Sequence, residues 1–447
     1  MIASKIRLVA SAENPLRLAF LICFQILICC VSLVYISLFK FPDYFTGATF
    51  HIFFDSAGLL RAVIVVAVFA LVSVAFTFAR FSFGYFAGYY LYMMMISYLW
   101  LNCFSDLNYD HRLAGFSAAA AAVLFLAPAL LLASPIGQRY VLSEKALNRL
   151  LIFILILAVS AIALGAMHNF RLVALEGIYE FRDKLEFPRF INYLIGITSS
   201  VLLPFAFACF IARKRYWFAA LALLLLLSFY PITLSKLVFF TPAWLVALAF
   251  LSRILGARTA LILALLLPTL LGVLIVLPKT AETPFYFEAG TRYLYTVNFR
   301  ILAIPAIAMD VYSDFFSRQP LTYFCHISVL KPFVSCPYQD QLSIVMERAY
   351  RLGNFNASLF ATEGIASVGL LFAPLAALFC GLVIALGNRL SAGLPPRFVL
   401  ISSAVIPEVL LNVPLSVALL THGLAILFLL WYITPRTIFE HDGAVGN

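Results

Sequence analysis

The residues best suited to chemistry are two arginines and a glutamate near the end of a long polar stretch. Arg348 and Arg351 lie three positions apart in MERAYRLGN, a spacing that puts both on one face of a helix. Glu363 follows in NASLFATEGIASVG, just before a long apolar run. Guanidinium groups bind phosphates through several N–H donors, and a carboxylate can take a proton from a hydroxyl group. The pattern predicts a catalytic site in which the arginines stabilise negative charge and Glu363 is a general base. In the structural alternative, Glu347 neutralises Arg351, and Glu363 caps a helix or pairs with an arginine.

Other cations stand beside aromatic residues in the polar stretches. Arg292 and Arg300 lie in TRYLYTVNFR, and Arg171 lies in an amphipathic stretch that begins at Asn169. Aromatic faces stack on sugar rings, and guanidinium groups grip phosphates in a forked geometry. We therefore expect Arg292 and Arg300 to bind a substrate that is part sugar and part phosphate, and Arg171 to help hold an anionic substrate. The alternative for Arg292 and Arg300 is aromatic packing with solvated arginines, and for the segment of Arg171 it is a structural interfacial helix.

Three ionisable residues fall in or beside apolar runs. Lys236 lies in a hairpin that is too short for two full spans, and Glu408 and His422 lie in a second short hairpin near the C-terminus. An ionisable group inside a membrane is a functional candidate by default. We expect the two hairpins to frame a cavity open to the outer leaflet, in which these residues bind substrate. For His422, a neutral ring bonded to a backbone carbonyl is the alternative.

The cysteines indicate a disulfide and no metal site. Six of the eight fall in or at apolar runs, whereas Cys325 and Cys336 share one polar stretch, eleven positions apart. An oxidising compartment would allow these two to form a disulfide; otherwise they are two loop thiols. No set of cysteines and histidines has the spacing of zinc ligands.

These side chains must be positioned by membrane helices. Hydrophobic residues make up 64% of the 447 residues and charged residues 11%, which excludes a soluble globular enzyme and a disordered chain. Twelve apolar runs are long enough to span a bilayer, and each must be helical there because lipid cannot satisfy backbone groups. The predicted fold is an all-α polytopic membrane protein. The predicted spans are 18–39, 59–79, 84–103, 113–133, 148–167, 190–212, 216–233, 237–252, 259–277, 366–387, 398–413 and 415–432.

Basic residues predict the orientation of these helices. Short loops on the side of the N-terminus carry most of the excess positive charge, as in the run Arg213, Lys214 and Arg215, so both termini should be cytoplasmic. The net charge of +10 is thus explained by the orientation of the helices. The sequence has no basic stripe of the kind that binds nucleic acid. Three parts follow: helices one to nine in 1–277, with an external amphipathic segment at 168–189; a large external loop at 278–365; and helices ten to twelve with a tail in 366–447.

The chain resembles the bacterial superfamily of O-antigen polymerases and ligases, which use glycans linked to polyprenyl diphosphate. The resemblance rests on the two long external segments, the Arg348 to Gly364 spacing, and the pair Ser235-Lys236 before an apolar helix. It implies a GT-C-like inner-membrane enzyme that polymerises oligosaccharide repeat units at the periplasmic face without a cofactor. It also implies undecaprenyl-diphosphate-linked substrates and a chain-length regulator protein as partners.

Two other functions are compatible with the sequence, a ligase and a transporter. A ligase would carry a histidine where this chain has Phe355. The chain also departs from the polymerase pattern, since Arg182 and not a glycine stands eleven after Arg171 in the short external segment. A transporter or flippase of lipid-linked sugars usually has two matched halves of six helices, which the position of the long loop does not suggest.

Overall fold

The computed structural model describes residues 13–38, 51–174, 177, 178, 181, 185, 187–276, 290–327, 330, 332–353, 355 and 357–439. This part of the chain is all α-helical, apart from a single isolated β-bridge between Ile52 and Ser105. The longer helices are α1 (Pro15–Leu38), α2 (Ser56–Phe78), α3 (Phe83–Leu101), α4 (His111–Leu131), α5 (Glu144–His168), α6 (Arg189–Ala212), α7 (Tyr216–Thr233), α8 (Lys236–Ile254), α9 (Ala257–Val276) and α10 (Gly290–Arg318). They are followed by α11 (Leu342–Tyr350), α12 (Phe360–Ser391), α13 (Pro396–Ser402), α14 (Ile406–Asn412), α15 (Leu415–Leu420) and α16 (Leu424–Ile433).

Ten of the described helices are long and apolar enough to cross a membrane: α1, α2, α4 to α10 and α12. Nine of them coincide with predicted spans, and the tenth, α10, does not. The protein is therefore a multi-pass membrane protein.

Contacts between loops define two faces of the helix bundle. On the first, the terminal face, the Arg258 Nε donates to Glu13 at 2.6 Å and its Nη1 to the Ala79 carbonyl at 3.1 Å. Arg436 donates there to the Ala392 carbonyl at 3.0 Å. The first two bonds tie the starts of α1 and α9 to the end of α2, and the third ties the end of α12 to the residues after α16. The two sets lie at the same face because Asn388, near the end of α12, accepts from the N–H of Gly84, just after α2. Both ends of the described chain thus lie at one face.

The opposite face, the loop face, carries the longer connections. The Phe53 N–H donates to the Phe104 carbonyl at 3.0 Å, which joins the segments before α2 and after α3. The Asn169 amide donates to the Ile232 carbonyl at 2.9 Å, so the segment after α5 covers the end of α7. The described residues between Gln319 and Gly353 also lie at this face, and we call them the external segment.

Helix α3 is the centre of the bundle, since all 19 of its residues are buried. Its start touches two neighbours through Asn388 of α12, which accepts from the Gly84 N–H at 2.6 Å and donates to the Ala129 carbonyl at 2.7 Å. Any side chain at Gly84 would meet the Ala129 carbonyl oxygen, because an added Cβ would lie 2.1 Å from it. The close approach of α3 and α4 thus requires glycine here.

Helix α10 begins and ends at the loop face. Gly290 packs against Ile275 near the end of α9, where an added Cβ would lie 2.8 Å from a side-chain carbon. Farther along, Asp310 accepts hydrogen bonds from the Ser105 hydroxyl at 2.7 Å and from the Tyr109 hydroxyl, both in the connection between α3 and α4. Helix α10 is thus long enough to span, but its contacts return it to the face where it began.

The predicted external loop, 278–365, includes this helix. Helix α10 takes up 29 of these residues and is mostly buried. Between its ends, Asn298 donates to the Thr269 carbonyl at 2.7 Å and to the Ser32 hydroxyl at 2.9 Å, so the helix passes between α9 and α1.

Helix α12 consists of two limbs that run in opposite directions. Gly369 has φ 73° and ψ 170°, which breaks the helix, and the preceding limb is π-helical over Phe360–Ala366. An added Cβ at Gly364 would lie 3.1 Å from the Ala373 Cβ, so the two limbs pack side by side. The first limb is re-entrant, and the residues after Gly369 form the helix that reaches the terminal face.

The last two predicted spans are interrupted. The run 398–413 is divided into α13 and α14, and the run 415–432 into α15 and α16. Gly423, with φ 76°, separates the second pair. Broken helices leave backbone groups without helical partners, which is tolerated at membrane depth when protein surrounds the break.

Candidate functional site

Glu363 lies in the buried re-entrant limb and is held by two hydrogen bonds. Its Oε1 accepts from the Leu415 N–H at 2.9 Å, and its Oε2 accepts from the Thr362 hydroxyl at 2.8 Å. The residue is 8% exposed. A carboxylate at the first N–H groups of α15 compensates donors that have no helical partner. The capping alternative therefore describes these contacts, although the helix concerned is α15; the role of Glu363 as a base stays a prediction.

The two arginines paired with Glu363 in the sequence lie elsewhere. The Arg348 Nη1 donates to Asp340 at 2.5 Å, and the Arg348 side chain is 70% exposed. Arg351 ends α11 with φ 57°, and its N–H donates to the Glu347 carbonyl at 2.7 Å. Both arginines lie in the external segment, whereas Glu363 lies within the bundle. The catalytic roles of this pair stay predictions.

Lys236 and Arg171 belong to a different part of the loop face. Lys236 is half-buried at the start of α8, directly after Leu234 with φ 47°. The Arg171 N–H donates to the Pro231 carbonyl at 2.9 Å, and its guanidinium lies 5.2 Å from the centre of the Phe181 ring. The predicted helix at 168–189 lies largely outside the described residues. The described ones pack on the turn between α7 and α8, so this pair and the Arg348 pair occupy separate elements.

Two predicted site residues from distant segments lie near each other. Arg300, in the π-helical middle of α10, lies within electrostatic reach of Glu408 in α14. Glu408 also bonds to Asn412 through its Oε1 at 3.4 Å. Arg292, eight residues earlier on α10, is exposed. The substrate-binding roles of these residues stay predictions.

His422 lies at the break between α15 and α16 and not inside a continuous helix as expected. Its Nδ1 lies 3.3 Å from the Ser200 hydroxyl of α6. Ser200 belongs to a π-helical turn, Thr198–Leu202, within α6. Two local irregularities thus meet at this contact.

A disulfide joins Cys325 and Cys336 in the external segment, with their Cα atoms 5.2 Å apart. Both sulfur atoms are used by this bond, so the neighbouring His326 has no pair of thiolates with which to hold a metal ion. Near the disulfide, the Tyr338 hydroxyl donates to the Pro320 carbonyl at 2.8 Å, and its ring packs 5.9 Å from that of Phe315. The external segment is thus fixed onto the end of α10.

A cleft of about 270 Å³ opens where α10 and α11 meet. We call it the Asp314 cleft; it is lined by Asp314, Phe315, Arg318, Gln319, Ala349 and Tyr350. The Asp314 Oδ2 accepts from the Tyr350 hydroxyl at 2.5 Å and from the Arg318 guanidinium one helical turn away. Asp314 is 1% exposed, whereas the side chain of Arg318 is 56% exposed. A buried carboxylate and a solvent-accessible cation therefore share one cleft.

A second buried carboxylate, that of Asp310, lies next to the cleft. Asp310 is fully buried one turn before Asp314, and both of its oxygens accept hydroxyl donors from the connection after α3. The Ser313 hydroxyl lies 3.3 Å from that of Tyr98 on α3. Burying a carboxylate is costly unless such partners satisfy it. The network thus fixes the rotation of α10 and the direction of Asp314.

Sequence reasoning missed this cleft, although a signal was present. Asp310, Asp314 and Arg318 recur every four residues in MDVYSDFFSR, which places all three on one face of a helix. This spacing is informative only in a helix, and the sequence predicts an external loop at these residues. Tyr350 could not have been added, since its approach depends on how α11 folds back.

No family model matches the chain, and no curated protein or solved structure gives a significant match.

Proposed function

We propose that this protein is a bacterial inner-membrane polysaccharide polymerase. It transfers a growing glycan from polyprenyl diphosphate to a hydroxyl group of a second lipid-linked repeat unit. The observation that carries the proposal is the Asp314 cleft, where a buried carboxylate and an exposed guanidinium lie between membrane helices and a folded external segment. The reaction needs a proton acceptor and a cation for the departing diphosphate, and it needs both at the membrane surface.

The proposed topology has twelve spans, with the terminal face in the cytoplasm and the loop face in the periplasm. Helices α1 to α9, the second limb of α12, and the pairs α13–α14 and α15–α16 supply the spans, while α10 and the first limb of α12 return to the loop face. Arg213, Lys214 and Arg215 lie at the terminal face, as expected for cytoplasmic loops. The Cys325–Cys336 disulfide lies at the loop face, and disulfides persist in oxidising compartments.

The external segment supplies two further cations that do not line the cleft. Arg348 and Arg351 stand on or next to α11, which also supplies Tyr350 to the cleft. Their proposed role is to attract the anionic lipid-linked substrate to the loop face. Long-range attraction of this kind raises the association rate and weakens with salt.

The test combines a gene deletion with a purified assay. A strain that lacks this protein should accumulate single lipid-linked repeat units, and these units, extracted from that strain, become the substrate. Wild-type protein in nanodiscs should convert them into a ladder of longer glycans, followed by gel electrophoresis. Accumulation of finished polymer on its lipid carrier in the deletion strain would indicate a ligase instead.

A second candidate, a transporter or flippase of lipid-linked sugars, is favoured by the broken helices. Transporters commonly bind substrate where discontinuous helices meet near the bilayer centre. Here α15 and α16 are interrupted beside His422, and Glu408 and Arg300 lie near each other. In that case nanodiscs would form no polymer, and the deletion strain would hold its lipid-linked units on the cytoplasmic leaflet, where added glycosidases cannot reach them in intact spheroplasts.

A further inference from the structure

The Asp314 cleft contains an incompletely satisfied carboxylate. Two donors, Tyr350 and Arg318, bind its Oδ2, but the buried Oδ1 has no hydrogen-bond partner among the described residues. An acceptor that is buried without a partner costs free energy, so native proteins seldom keep one without a reason. The unpaired oxygen belongs to a residue that lines a cleft large enough for a ligand group.

The surroundings of Asp314 select the chemistry of that ligand. An unpaired carboxylate oxygen requires a donor, and a sugar hydroxyl is one. Tyr350 remains a donor because burial, together with the adjacent Asp314, raises the pKa of its phenol well above the usual value. Arg318 binds Asp314 through one nitrogen while more than half of its side chain is exposed, which leaves N–H groups for an anion. Phe315 and Tyr350 supply aromatic surface to the same cleft.

We propose that Asp314 is the catalytic base that accepts the proton of the acceptor hydroxyl, and that Arg318 binds the diphosphate of the donor. This inference rests on the proposed polymerase function and identifies the residues that would perform it. The acceptor O–H bond breaks and its proton passes to the Asp314 carboxylate. The acceptor oxygen forms a bond to the anomeric carbon, and the bond from that carbon to the diphosphate breaks. The electron pair leaves with the diphosphate, whose negative charge Arg318 stabilises, and Asp314 later releases its proton to water.

The experiment measures glycan polymerisation in nanodiscs with lipid-linked repeat units extracted from the deletion strain. Asp314→Asn should lower kcat by about 100-fold or more, the usual contribution of a positioned base. Arg318→Gln should lower kcat/KM by about 10-fold or more, since hydrogen bonds to charged groups are among the strong ones. Tyr350→Phe keeps the carboxylate and removes one donor that positions it, so a loss of about 10-fold is expected.

Matched controls separate a local effect from a general one. Asp106→Asn and Arg112→Gln make the same chemical changes at exposed positions of the loop face, outside the cleft, and should retain wild-type rates. Each variant must elute as a single species and melt near the wild-type temperature. If Asp314→Asn fails this criterion, Arg318→Gln and Tyr350→Phe decide the result by the same comparison.

The outcomes distinguish the two proposals. Polymerisation by the wild type with a selective loss in the cleft variants supports both. If the wild type polymerises and the cleft variants match their controls, the role of Asp314 and Arg318 is refuted while the polymerase function stands. If the wild type forms no polymer, both proposals fail.

Discussion

Replacing Gly369 with alanine tests the least expected feature of the fold, the reversal within α12. Gly369 has φ 73° and ψ 170°, a region that is essentially restricted to glycine. An added Cβ would meet only the side chain of Leu321, at 3.5 Å, which is ordinary contact. The cost is therefore backbone strain and not a steric clash.

The magnitude follows from two opposing effects. Strain of this kind costs on the order of 1–3 kcal/mol. Alanine also restricts the unfolded chain, which returns about 0.4–1 kcal/mol. Gly369→Ala should therefore lower the free energy of unfolding by about 1–2 kcal/mol. If Phe360–Ser391 were one continuous helix, the same change would stabilise the protein by up to about 1 kcal/mol, since alanine is the better helix former.

The assay is unfolding from detergent micelles by titration with SDS, followed by tryptophan fluorescence. Gly137→Ala is the matched control, because an added Cβ there meets nothing within 4 Å and its φ lies outside the left-handed region. A variant at Gly369 that is as stable as this control, or more stable, would refute the kink and with it the re-entrant limb. The test depends on whether Gly369→Ala lowers or raises the free energy of unfolding.

Three further outcomes are expected. Glu363→Ala should destabilise the protein by about 1–3 kcal/mol more than Glu363→Gln in the SDS titration, because glutamine keeps an acceptor for the backbone of α15 and alanine does not. Loss of the disulfide in a double Cys325→Ser, Cys336→Ser variant should destabilise the external segment by about 3 kcal/mol, seen as faster limited proteolysis of that segment alone. Glu13→Gln should cost about 2–3 kcal/mol in the SDS titration, less than a fully buried pair, because its ion pair with Arg258 at 2.6 Å is mostly shielded from solvent.

Each of these has a result that contradicts it. Equal stability of the two Glu363 variants would mean that the capping bond contributes nothing, and equal cleavage with and without the disulfide would mean that the external segment does not depend on it. For Glu13, the control is Glu144→Gln, whose ion pair with Arg213 at 4.0 Å is largely exposed on the glutamate side and should contribute little. A similar loss in both variants would show that shielding of the pair is unimportant.

The sequence predicts the regular helices well because lipid imposes one simple rule. A run of apolar residues such as 148–167 must become a helix, and the structure has α5 at Glu144–His168. Turn positions followed from the same rule, since a polar or proline-containing gap has to lie at a face. The pair Ser235-Lys236 indeed opens α8.

The rule fails where protein takes the place of lipid. Helix α10 contains Asp310 and Asp314, two acidic residues that are typical of a loop in a chain this apolar. In the folded protein Ser105 and Tyr109 donate to both oxygens of Asp310, and Tyr350 donates to one oxygen of Asp314, all from distant parts of the chain. Periodicity alone does not reveal such partners. The reversal at Gly369 was equally hidden, because an apolar sequence on both sides of a glycine fits one long helix as well as two short ones.

The candidate site shows the same division. Residue type and spacing indicated that arginines and carboxylates of the loop face matter, but not which of them meet. Arg348 and Glu363 are close in sequence, which favours a shared site, but in the folded chain Arg348 pairs with Asp340 and Glu363 accepts from the start of α15. Chain proximity is a poor guide to such pairs when a segment folds back.

The enclosure of α3 has a consequence for biogenesis. Its 19 residues face only protein. It carries five tyrosines, Tyr85, Tyr89, Tyr90, Tyr92 and Tyr98, and it is not among the helices apolar enough to be candidate spans. A segment of this kind gains little from entering hydrocarbon alone during translocation. If α3 is a span, as proposed, we expect its stable insertion to depend on the helices that surround it. The innermost helix of the bundle would then depend on parts of the chain that are synthesised later.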